Sequence, residues 1–306
     1  MPYQILLFYK YINIENPTEL MLEQKAVWAK DGFKGRGIIA QEGINFTLEG
    51  KTEDTEQYIE ELKQDSRFTD IHFKKSPGSG EAFPKASIKV RKEIVSSYLG
   101  EKDIDPNKVT GKYLIAEELH SWFDEKREFY IVDMRNDYEH RVGHFENSIL
   151  PQLHNFRDLN EIIPELESIR DKTIVTVCTG GVRCEKASGF LVANGFTNVY
   201  QLFGGIVTYM EKYPNENFLG KLYVFDGRIL MGFNTDSSDH KIIGTCGKCG
   251  AVSENYVNCG NNDCHNHFIC CEKCLTTDGK GFCSPECEVV YQWYKTQENV
   301  KVNLSF

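Results

Sequence analysis

Apolar and polar residues follow two different periods along the first third of the chain, and these periods predict strands and helices in a definite order. Alternating or continuous apolar runs predict strands, whereas apolar residues about every three to four positions predict helices. The predicted strands are 3–12, 36–40, 44–48 and 86–91, and the predicted helices are 18–30 and 55–63. Residues 71–74 are predicted to be extended, and 76–80 to form a flexible excursion. This β-α-β-β-α-β order predicts a ferredoxin-like sandwich.

The middle of the chain alternates short strands with helices. The predicted strands are 129–134, 173–178 and 198–202, and the predicted helices are 114–125, 159–169, 183–194 and 205–213. This alternation predicts an α/β domain whose parallel sheet carries its site at the carboxyl ends of the strands. Residues 99–112, with glycine and proline among charged residues, are predicted to be a linker. The predicted domains are therefore 1–98, 113–220 and 221–306.

Length and cysteine content limit the class of protein. A chain of 306 residues is expected to form about two or three domains. No segment approaches the roughly 18 to 20 apolar residues of a membrane span, and the N-terminus lacks the features of a secretion signal, which predicts a cytoplasmic protein. In such a protein, eleven cysteines favour thiolate chemistry and metal ligation over a disulfide framework.

One cysteine lies where the strongest apolar run meets a glycine-containing loop. Residues 174–184 read IVTVCTGGVRC, so the predicted strand leads through Cys178 into a loop and then a helix. Backbone N–H groups of such a loop, together with the positive end of the helix, stabilise an anion and favour the nucleophilic thiolate. A buried structural cysteine before a glycine turn is the alternative interpretation. The predicted anion cradle consists of Thr179, Gly180, Gly181, Val182 and Arg183.

Four residues near this loop each have two possible roles. Asp133 and Arg135 end a predicted strand, and they either support the site directly or brace its loops. Cys184 is either a small buried helix residue or the thiol that resolves an oxidised Cys178. Arg183 is predicted to orient the loop or to bind an anion, because a guanidinium group stays charged.

Nine of the eleven cysteines fall between residues 246 and 287, at spacings typical of metal ligands. Paired cysteines offer two thiolates from one short turn, so four pairs can form two tetrahedral zinc sites, and zinc would supply the folding free energy of a segment with few apolar residues. The predicted ligands are Cys246, Cys249, Cys259, Cys264, Cys271, Cys274, Cys283 and Cys287. Cys270 or Cys271 is spare, and His265 and His267 can replace a thiolate. The spacing leaves open which pairs share a metal, and a reduced thiol cluster or an iron–sulfur site are the alternatives.

The net charge of −10 is unevenly distributed. Residues 1–98 carry 14 Lys and Arg against 15 Asp and Glu, whereas residues 110–239 carry 13 against 20. A local basic face within residues 73–93 can hold nucleic-acid phosphates despite the negative total, and a solvated Lys-rich edge strand is the alternative. The candidate phosphate-binding residues are Lys74, Lys75, Lys85, Lys89, Arg91 and Lys92.

Several segments together resemble the rhodanese-domain tRNA uridine hydroxylase family. These segments are GIIAQEGIN at 37–45, KVRKEIV at 89–95, CTGGVRC at 178–184, and the cysteine-rich tail, while DMR at 133–135 resembles the strand end of rhodanese domains. The resemblance implies an acylphosphatase-like N-terminal domain, a rhodanese-like domain and a cysteine-rich C-terminal region. It also implies oxidation of the wobble uridine of tRNA to 5-hydroxyuridine with molecular oxygen, and an essential role for Cys178.

Two other functions compete with hydroxylation. One is a sulfurtransferase that passes sulfane sulfur from a Cys178 persulfide to a small molecule or a protein, and the other is a zinc-dependent RNA-binding adaptor. The intact Cys178 argues against the adaptor, and the N-terminal domain with its basic stretch favours the hydroxylase. In our mechanistic hypothesis, Cys178, as a thiolate or as a persulfide, adds to C6 of uracil and raises the electron density at C5. The predicted cofactors are two structural zinc ions, with molecular oxygen as cosubstrate and no organic cofactor motif.

Overall fold

The computed structural model describes residues 2–303, with side chains as far as residue 296. The N-terminal domain consists of five strands and two helices. These are β1 (Tyr3–Tyr11), α1 (Pro17–Lys30), β2 (Lys34–Ala40), β3 (Gly43–Lys51), α2 (Thr52–Gln64), β4 (Lys74–Gly78) and β5 (Ala86–Val90). Strand order in the sheet is β4-β1-β3-β2-β5, with only the β2–β5 pair parallel.

The side chains of β1 alternate between the two faces of this sheet. Leu6 and Phe8 are fully buried in the core that includes Trp28 of α1. Leu7 and Tyr9 point to the opposite face, which both helices leave uncovered, because successive side chains of a strand alternate. The predicted ferredoxin-like sandwich is therefore confirmed, and its open face is available to the rest of the chain.

Part of the predicted excursion at 76–80 is regular structure. Strand β4 pairs antiparallel with β1, from Lys74 opposite Leu7 to Gly78 opposite Tyr3. The proline and glycine of this segment led to the prediction of a loop. Both are tolerated because β4 lies at the edge of the sheet, where an unpaired backbone position costs little.

The central domain has a parallel sheet with helices on its two faces. Its elements are β6 (Lys112–Leu114), α3 (Ala116–Asp124), β7 (Tyr130–Asp133), α4 (Asp137–His140), β8 (Gly143–Phe145), α5 (Ile163–Leu166), β9 (Thr173–Val177), α6 (Val182–Ala193), β10 (Asn198–Leu202) and α7 (Gly205–Lys212). The strand order β6-β10-β9-β7, parallel throughout, confirms the predicted α/β domain.

The helix predicted over 159–169 is broken. Short 3₁₀ segments at Phe156–Glu161 and Glu167–Ile169 flank the single turn of α5. Pro164 lies in that turn, and a proline disfavours continuous helix on its N-terminal side because it lacks an N–H group and restricts the preceding residue. The apolar spacing is retained, since Leu159, Ile162 and Leu166 are all buried.

The C-terminal region consists of short strand pairs and one long helix. Its elements are β11 (Phe218–Gly220), β12 (Leu222–Tyr223), β13 (Leu230–Met231), β14 (Tyr256–Asn258), β15 (His267–Ile269) and α8 (Pro285–Asn303). Strand β11 pairs with β8 of the central domain, and its other strands pair locally. The core around β15 consists mainly of cysteines with Phe268 and Phe282. Within residues 2–303, the structure has no helix with the length and apolar character of a membrane span.

Candidate active site

The cysteine loop lies against the open face of the N-terminal sheet. A Cβ atom added to Gly180 would be 2.8 Å from Leu7, and one added to Gly181 would be 2.9 Å from the Tyr9 hydroxyl. Gly181 also has a φ of +98°, a left-handed conformation that glycine adopts readily. Larger residues at these two positions would push the loop and the sheet apart, so the glycines allow the two domains to meet.

A cavity of about 460 Å³ opens at this junction, within the roughly 300–1,000 Å³ range of small-molecule sites. All three parts of the chain contribute to its wall. The N-terminal sheet supplies Leu7, Tyr9 and Asn45, the cysteine loop supplies Cys178, and the C-terminal region supplies Phe225. The predicted location at the carboxyl ends of parallel strands holds, but half of the wall comes from a different domain.

Cys178 follows β9 directly and is fully buried at the base of the loop. Its Sγ atom accepts a hydrogen bond from the Gly181 N–H at 3.2 Å. Burial raises the pKa of Cys178, but the Cys184 thiol, the Arg183 guanidinium and backbone N–H groups outweigh it and lower that pKa to about 6. The carbonyl of Cys178 accepts from the Ile206 N–H at 2.9 Å, so the start of α7 holds the loop from the other side. This geometry favours a thiolate at neutral pH.

Arg183 is tied to a carboxylate that the sequence reasoning did not select. Its guanidinium group forms a two-point ion pair with Glu139 of α4, in which Nη2 lies 2.8 Å from Oε2, and Nη2 also donates to Thr179 at 3.3 Å. Burial lowers the pKa of Arg183, but the negative charge of Glu139 and its hydrogen bonds outweigh burial and raise that pKa above its ordinary value. Arg183 therefore orients the loop. The available signal for this partner was the position of Glu139, four residues after the DMR segment at 133–135.

Asp133 and Arg135 lie outside the cavity wall and brace the neighbouring backbone. Both are fully buried, and the Arg135 guanidinium contacts the Asp133 carboxylate at 2.7–3.1 Å and the Gly143 carbonyl at 2.6 Å. Cys184 is buried in the first turn of α6, where its thiol hydrogen-bonds to Cys178. Burial and the Cys178 thiolate raise the pKa of Cys184, so it is the donor of the pair.

The six basic candidates of residues 74–92 are in different environments. Lys74 is buried in the cavity wall, whereas Lys75 forms an ion pair with Glu56 at 2.6 Å. Lys89 lies beside Ile38 in the register of β5 with β2, at the edge of the open face. The remaining candidates are exposed; they are Lys85, Arg91 and Lys92.

Three arginines of the cavity wall were missed because each comes from a different part of the chain. Arg36, Arg157 and Arg228 all line the cavity. Arg228 pairs with Asp226 and donates to Ser76 of β4 at 2.9 Å, which links the C-terminal region to the N-terminal sheet. Arg36 and Arg157 make no ion pair with any residue that the structure describes. Their charge is therefore available to an anionic ligand.

The eight predicted metal ligands form two groups of four. Cys246, Cys249, Cys271 and Cys274 make one group, and Cys259, Cys264, Cys283 and Cys287 make the other. In each group all four Sγ atoms lie within 4.8 Å of one another. Three of these Sγ pairs are 3.5–3.7 Å apart, close to the roughly 3.8 Å edge of a tetrahedron with Zn–S near 2.3 Å.

The sequence spacing left open which cysteines share a metal, and the structure shows which four lie together. Each group combines cysteines from turns that are distant in sequence. The residue outside both groups is Cys270, which is fully buried with its thiol directed at a backbone carbonyl. His265 and His267 are also outside the groups, and His267 hydrogen-bonds to the Tyr223 hydroxyl at 2.9 Å. The cysteines can hold two metal ions without a histidine ligand.

Comparison with known families divides the chain in three. Residues 3–94 match the UPF0176 acylphosphatase-like domain, residues 115–212 the rhodanese-like domain, and residues 219–288 the family described as rhodanase C-terminal. Among solved structures, a rhodanese-like domain protein from Staphylococcus aureus is 29% identical, covers 32% of this chain and 90% of its own, and has a TM-score of 0.28.

Curated relatives match nearly the whole chain. The tRNA uridine(34) hydroxylase of Cytophaga hutchinsonii is 43% identical over 286 residues, which are 94% of this chain and 90% of that protein. The tRNA uridine(34) hydroxylase of Bacillus licheniformis is 44% identical over 291 residues, 94% of this chain and 88% of that protein. The chain belongs to the tRNA uridine(34) hydroxylase family.

Proposed function

We propose that the protein hydroxylates C5 of the wobble uridine of tRNA, in the cytoplasm, with Cys178 as the nucleophile. The observation that carries this proposal is the cavity in which Cys178 lies beneath the N-terminal sheet. A sulfurtransferase needs only a loop that activates its cysteine, whereas this cavity has the volume of a nucleoside site and contains two unpaired arginines. The names of the curated relatives support the same substrate.

The residues of the cavity can bind a nucleotide by three kinds of contact. Phe225 is 47% exposed and presents its ring to the cavity, where a flipped base can stack on it. Arg36 and Arg157 can bind phosphate oxygens, since their guanidinium groups carry uncompensated charge. Lys89 and the exposed basic residues beside β5 add positive charge next to the cavity, where they can contact phosphates of the rest of the tRNA.

The chemical role of Cys178 follows from its thiolate form. Addition of the thiolate to C6 of uracil makes C5 electron-rich, which prepares that carbon for oxidation. Molecular oxygen is the proposed source of the hydroxyl oxygen: one atom enters the product at C5, and the other leaves as water with two electrons and two protons from an external reductant. Cys184 donates a hydrogen bond to the thiolate, and Arg183, held by Glu139, keeps a positive charge beside it. These residues make addition possible at neutral pH.

We also propose that the two four-cysteine groups bind zinc. Four thiolates at tetrahedral spacing are typical of a closed structural zinc site, which has no open position for a substrate. The ions would hold together a region whose core is largely cysteine, and would thereby position Phe225 and Arg228 at the cavity. Metal analysis should find about two zinc ions per chain, with one lost in Cys249→Ala and none lost in the matched variant Cys270→Ala.

Nucleoside mass spectrometry tests the proposed reaction. tRNA from a deletion strain should regain 5-hydroxyuridine at the wobble position when the unaltered gene is supplied, but not with Cys178→Ser. Purified protein supplied with oxygen-18 gas should place the isotope in the product. A protein that moves sulfane sulfur from thiosulfate to cyanide and forms no 5-hydroxyuridine would refute the proposal in favour of a sulfurtransferase.

A further inference from the structure

A lysine in the cavity wall carries a positive charge that no carboxylate neutralises directly. Lys74 lies opposite Leu7 in the register of β4 with β1, so it faces the cavity, and it is 8% exposed. Its Nζ atom lies over the Tyr9 ring, 4.9 Å from the centroid. In the part of the chain that the structure describes, no carboxylate oxygen lies within 4.0 Å of this atom.

Glu185 is the acidic residue whose charge acts on Lys74, but its carboxylate already accepts hydrogen bonds from other side chains. The carboxylate of Glu185 accepts hydrogen bonds from the Tyr9 hydroxyl at 3.0 Å, from the Tyr113 hydroxyl and from the Gln201 amide. Burial lowers the pKa of Lys74 to about 8, against the opposing effect of the charges of Cys178 and Glu185. At neutral pH Lys74 is therefore mostly an ammonium ion that donates no hydrogen bond to a described residue.

A buried charge without a partner is energetically unfavourable, and a ligand with an opposite charge or a hydrogen-bond acceptor can offset that cost. Lys74 shares its cavity with Cys178, the group proposed to attack the substrate. Thiolate addition to C6 of uracil moves negative charge onto the oxygen at C4. This is the anion that an ammonium group in the cavity wall can bind at the moment it forms.

We propose that Lys74 is a catalytic residue whose ammonium group binds the C4 oxygen of uracil and stabilises the enolate formed when Cys178 adds to C6. This inference rests on the proposed function. In the step, the S–C6 bond forms and the π electrons of C5–C6 move into the C5–C4–O4 enolate. The thiolate and the uracil ring neither gain nor lose a proton or an electron in this step, and O4 accepts a hydrogen bond from Nζ of Lys74. Cytosine has an amino donor at that position, so the same lysine selects uracil.

Hydrogen exchange at C5 measures this step without oxygen. In D₂O under anaerobic conditions, reversible addition of Cys178 lets solvent deuterium enter C5 of the wobble uridine in an anticodon stem–loop RNA, which mass spectrometry detects. Lys74→Met should lower the exchange rate about 100-fold, the usual effect of losing one oxyanion donor. Its affinity for the RNA should change much less, because the charge on O4 develops only after addition. Lys74→Arg should retain part of the rate.

The fold is expected to tolerate Lys74→Met, since methionine has a similar length and removes an unpaired buried charge. Lys63→Met is the matched control. Lys63 also lies over an aromatic ring, 5.8 Å from the centroid of Phe73, but it belongs to helix α2, on the other face of the sheet. This variant should exchange C5 hydrogen at the unaltered rate. The dependence of the C5 exchange rate on pH is a readout specific to Lys74. In the unaltered protein this rate should fall as pH rises through about 8, because the ammonium group loses its proton, and in Lys74→Met the fall should be absent.

Two results would overturn the inference. The first is C5 exchange by Lys74→Met within about threefold of the unaltered rate, where loss of one oxyanion donor should cost far more. The second is the absence of Cys178-dependent exchange in the unaltered protein. Formation of 5-hydroxyuridine in air is measured separately, so failure of the proposed function appears as no product, and failure of this inference leaves product formation intact.

Discussion

The protonation state of Cys178 is the property on which the proposed chemistry depends most directly, and it can be measured. With a pKa of about 6, about 90% of Cys178 is thiolate at pH 7, against about 3% with the ordinary value of about 8.5. We therefore expect the alkylation rate of Cys178 by iodoacetamide to have its midpoint near pH 6. The reagent is small enough to enter through the cavity, and mass spectrometry of the Cys178 peptide separates this reaction from that of the other cysteines.

One variant tests whether the Cys184 hydrogen bond lowers the pKa of Cys178, and a second variant is its control. In Cys184→Ala the thiolate loses its side-chain donor, and because a hydrogen bond to a charged group contributes about 1.5–3 kcal/mol, the midpoint should rise by about one pH unit or more. Cys270→Ala, in a distant part of the chain, is the control and should leave the midpoint unchanged. A midpoint at or above about 8.5 in the unaltered protein would refute the argument that the loop stabilises an anion.

The same pKa predicts how stability depends on pH. The folded-state pKa of Cys178 lies below the value of about 8.5 expected in the unfolded chain, so the unfolded state binds more protons between these values. The contribution of the thiolate to the free energy of unfolding is complete above pH 8.5 and is lost as pH falls through about 6. Urea denaturation should show this decrease in the unaltered protein and a smaller one in Cys178→Ser.

Three further predictions concern other parts of the molecule. Glu139→Gln should lower the free energy of unfolding by about 3 kcal/mol, measured in urea, because it removes the charge that neutralises a buried guanidinium; an unchanged stability would contradict this. A chelator should make residues 246–287 protease-sensitive while the N-terminal domain stays resistant, and a tail that remains resistant without metal would contradict the zinc proposal. Replacing three basic residues by Gln should weaken tRNA binding and reduce its salt dependence, whereas an unchanged salt slope would assign them to the fold alone. These residues are Lys85, Lys89 and Lys92.

The features predicted correctly from the sequence are those that depend on neighbouring residues. The strand, glycine loop and helix around Cys178 form one local unit, and its apolar run and glycines identify it without knowledge of the rest. The alternation of strands and helices likewise predicted both sheets. Two elements are exceptions. The helix at 159–169 is broken and part of the loop predicted at 76–80 is strand β4, because apolar spacing does not report how the backbone accommodates a proline.

Features that depend on residues distant in sequence were not predicted. The partner of Arg183 is 44 positions away, and the cavity arginines come from three separate parts of the chain. Cysteine spacing indicated the candidate ligands, but the assignment of four cysteines to each group depends on how the short strands of the C-terminal region fold back on each other. Charge counts along the chain indicated a basic stretch, yet only the structure shows that Lys74 is buried in the cavity wall, whereas the neighbouring Lys75 is exposed and paired with Glu56.

The position of the N-terminal domain is fixed by contacts with the helix that begins at the cysteine loop. Lys186 of α6 is fully buried and binds Glu42 of the β2–β3 turn at 2.8 Å, and it also binds Asp103 at 2.9 Å. The Glu42 carboxylate accepts from the Ile94 N–H at 2.6 Å, and the Asn45 amide donates to the Ile94 carbonyl at 3.1 Å.

These contacts give a physical meaning to the two N-terminal segments that resemble the hydroxylase family. The 37–45 segment and the 89–95 segment are held together by Glu42 and Asn45, and the lysine of α6 joins both to the rhodanese-like domain. Because Glu42 is one of the two carboxylates that pair with the buried Lys186, an N-terminal domain that moved away would leave this lysine with Asp103 alone. The N-terminal sheet is therefore a fixed wall of the Cys178 cavity, and its open face shapes the space in which the cysteine reacts.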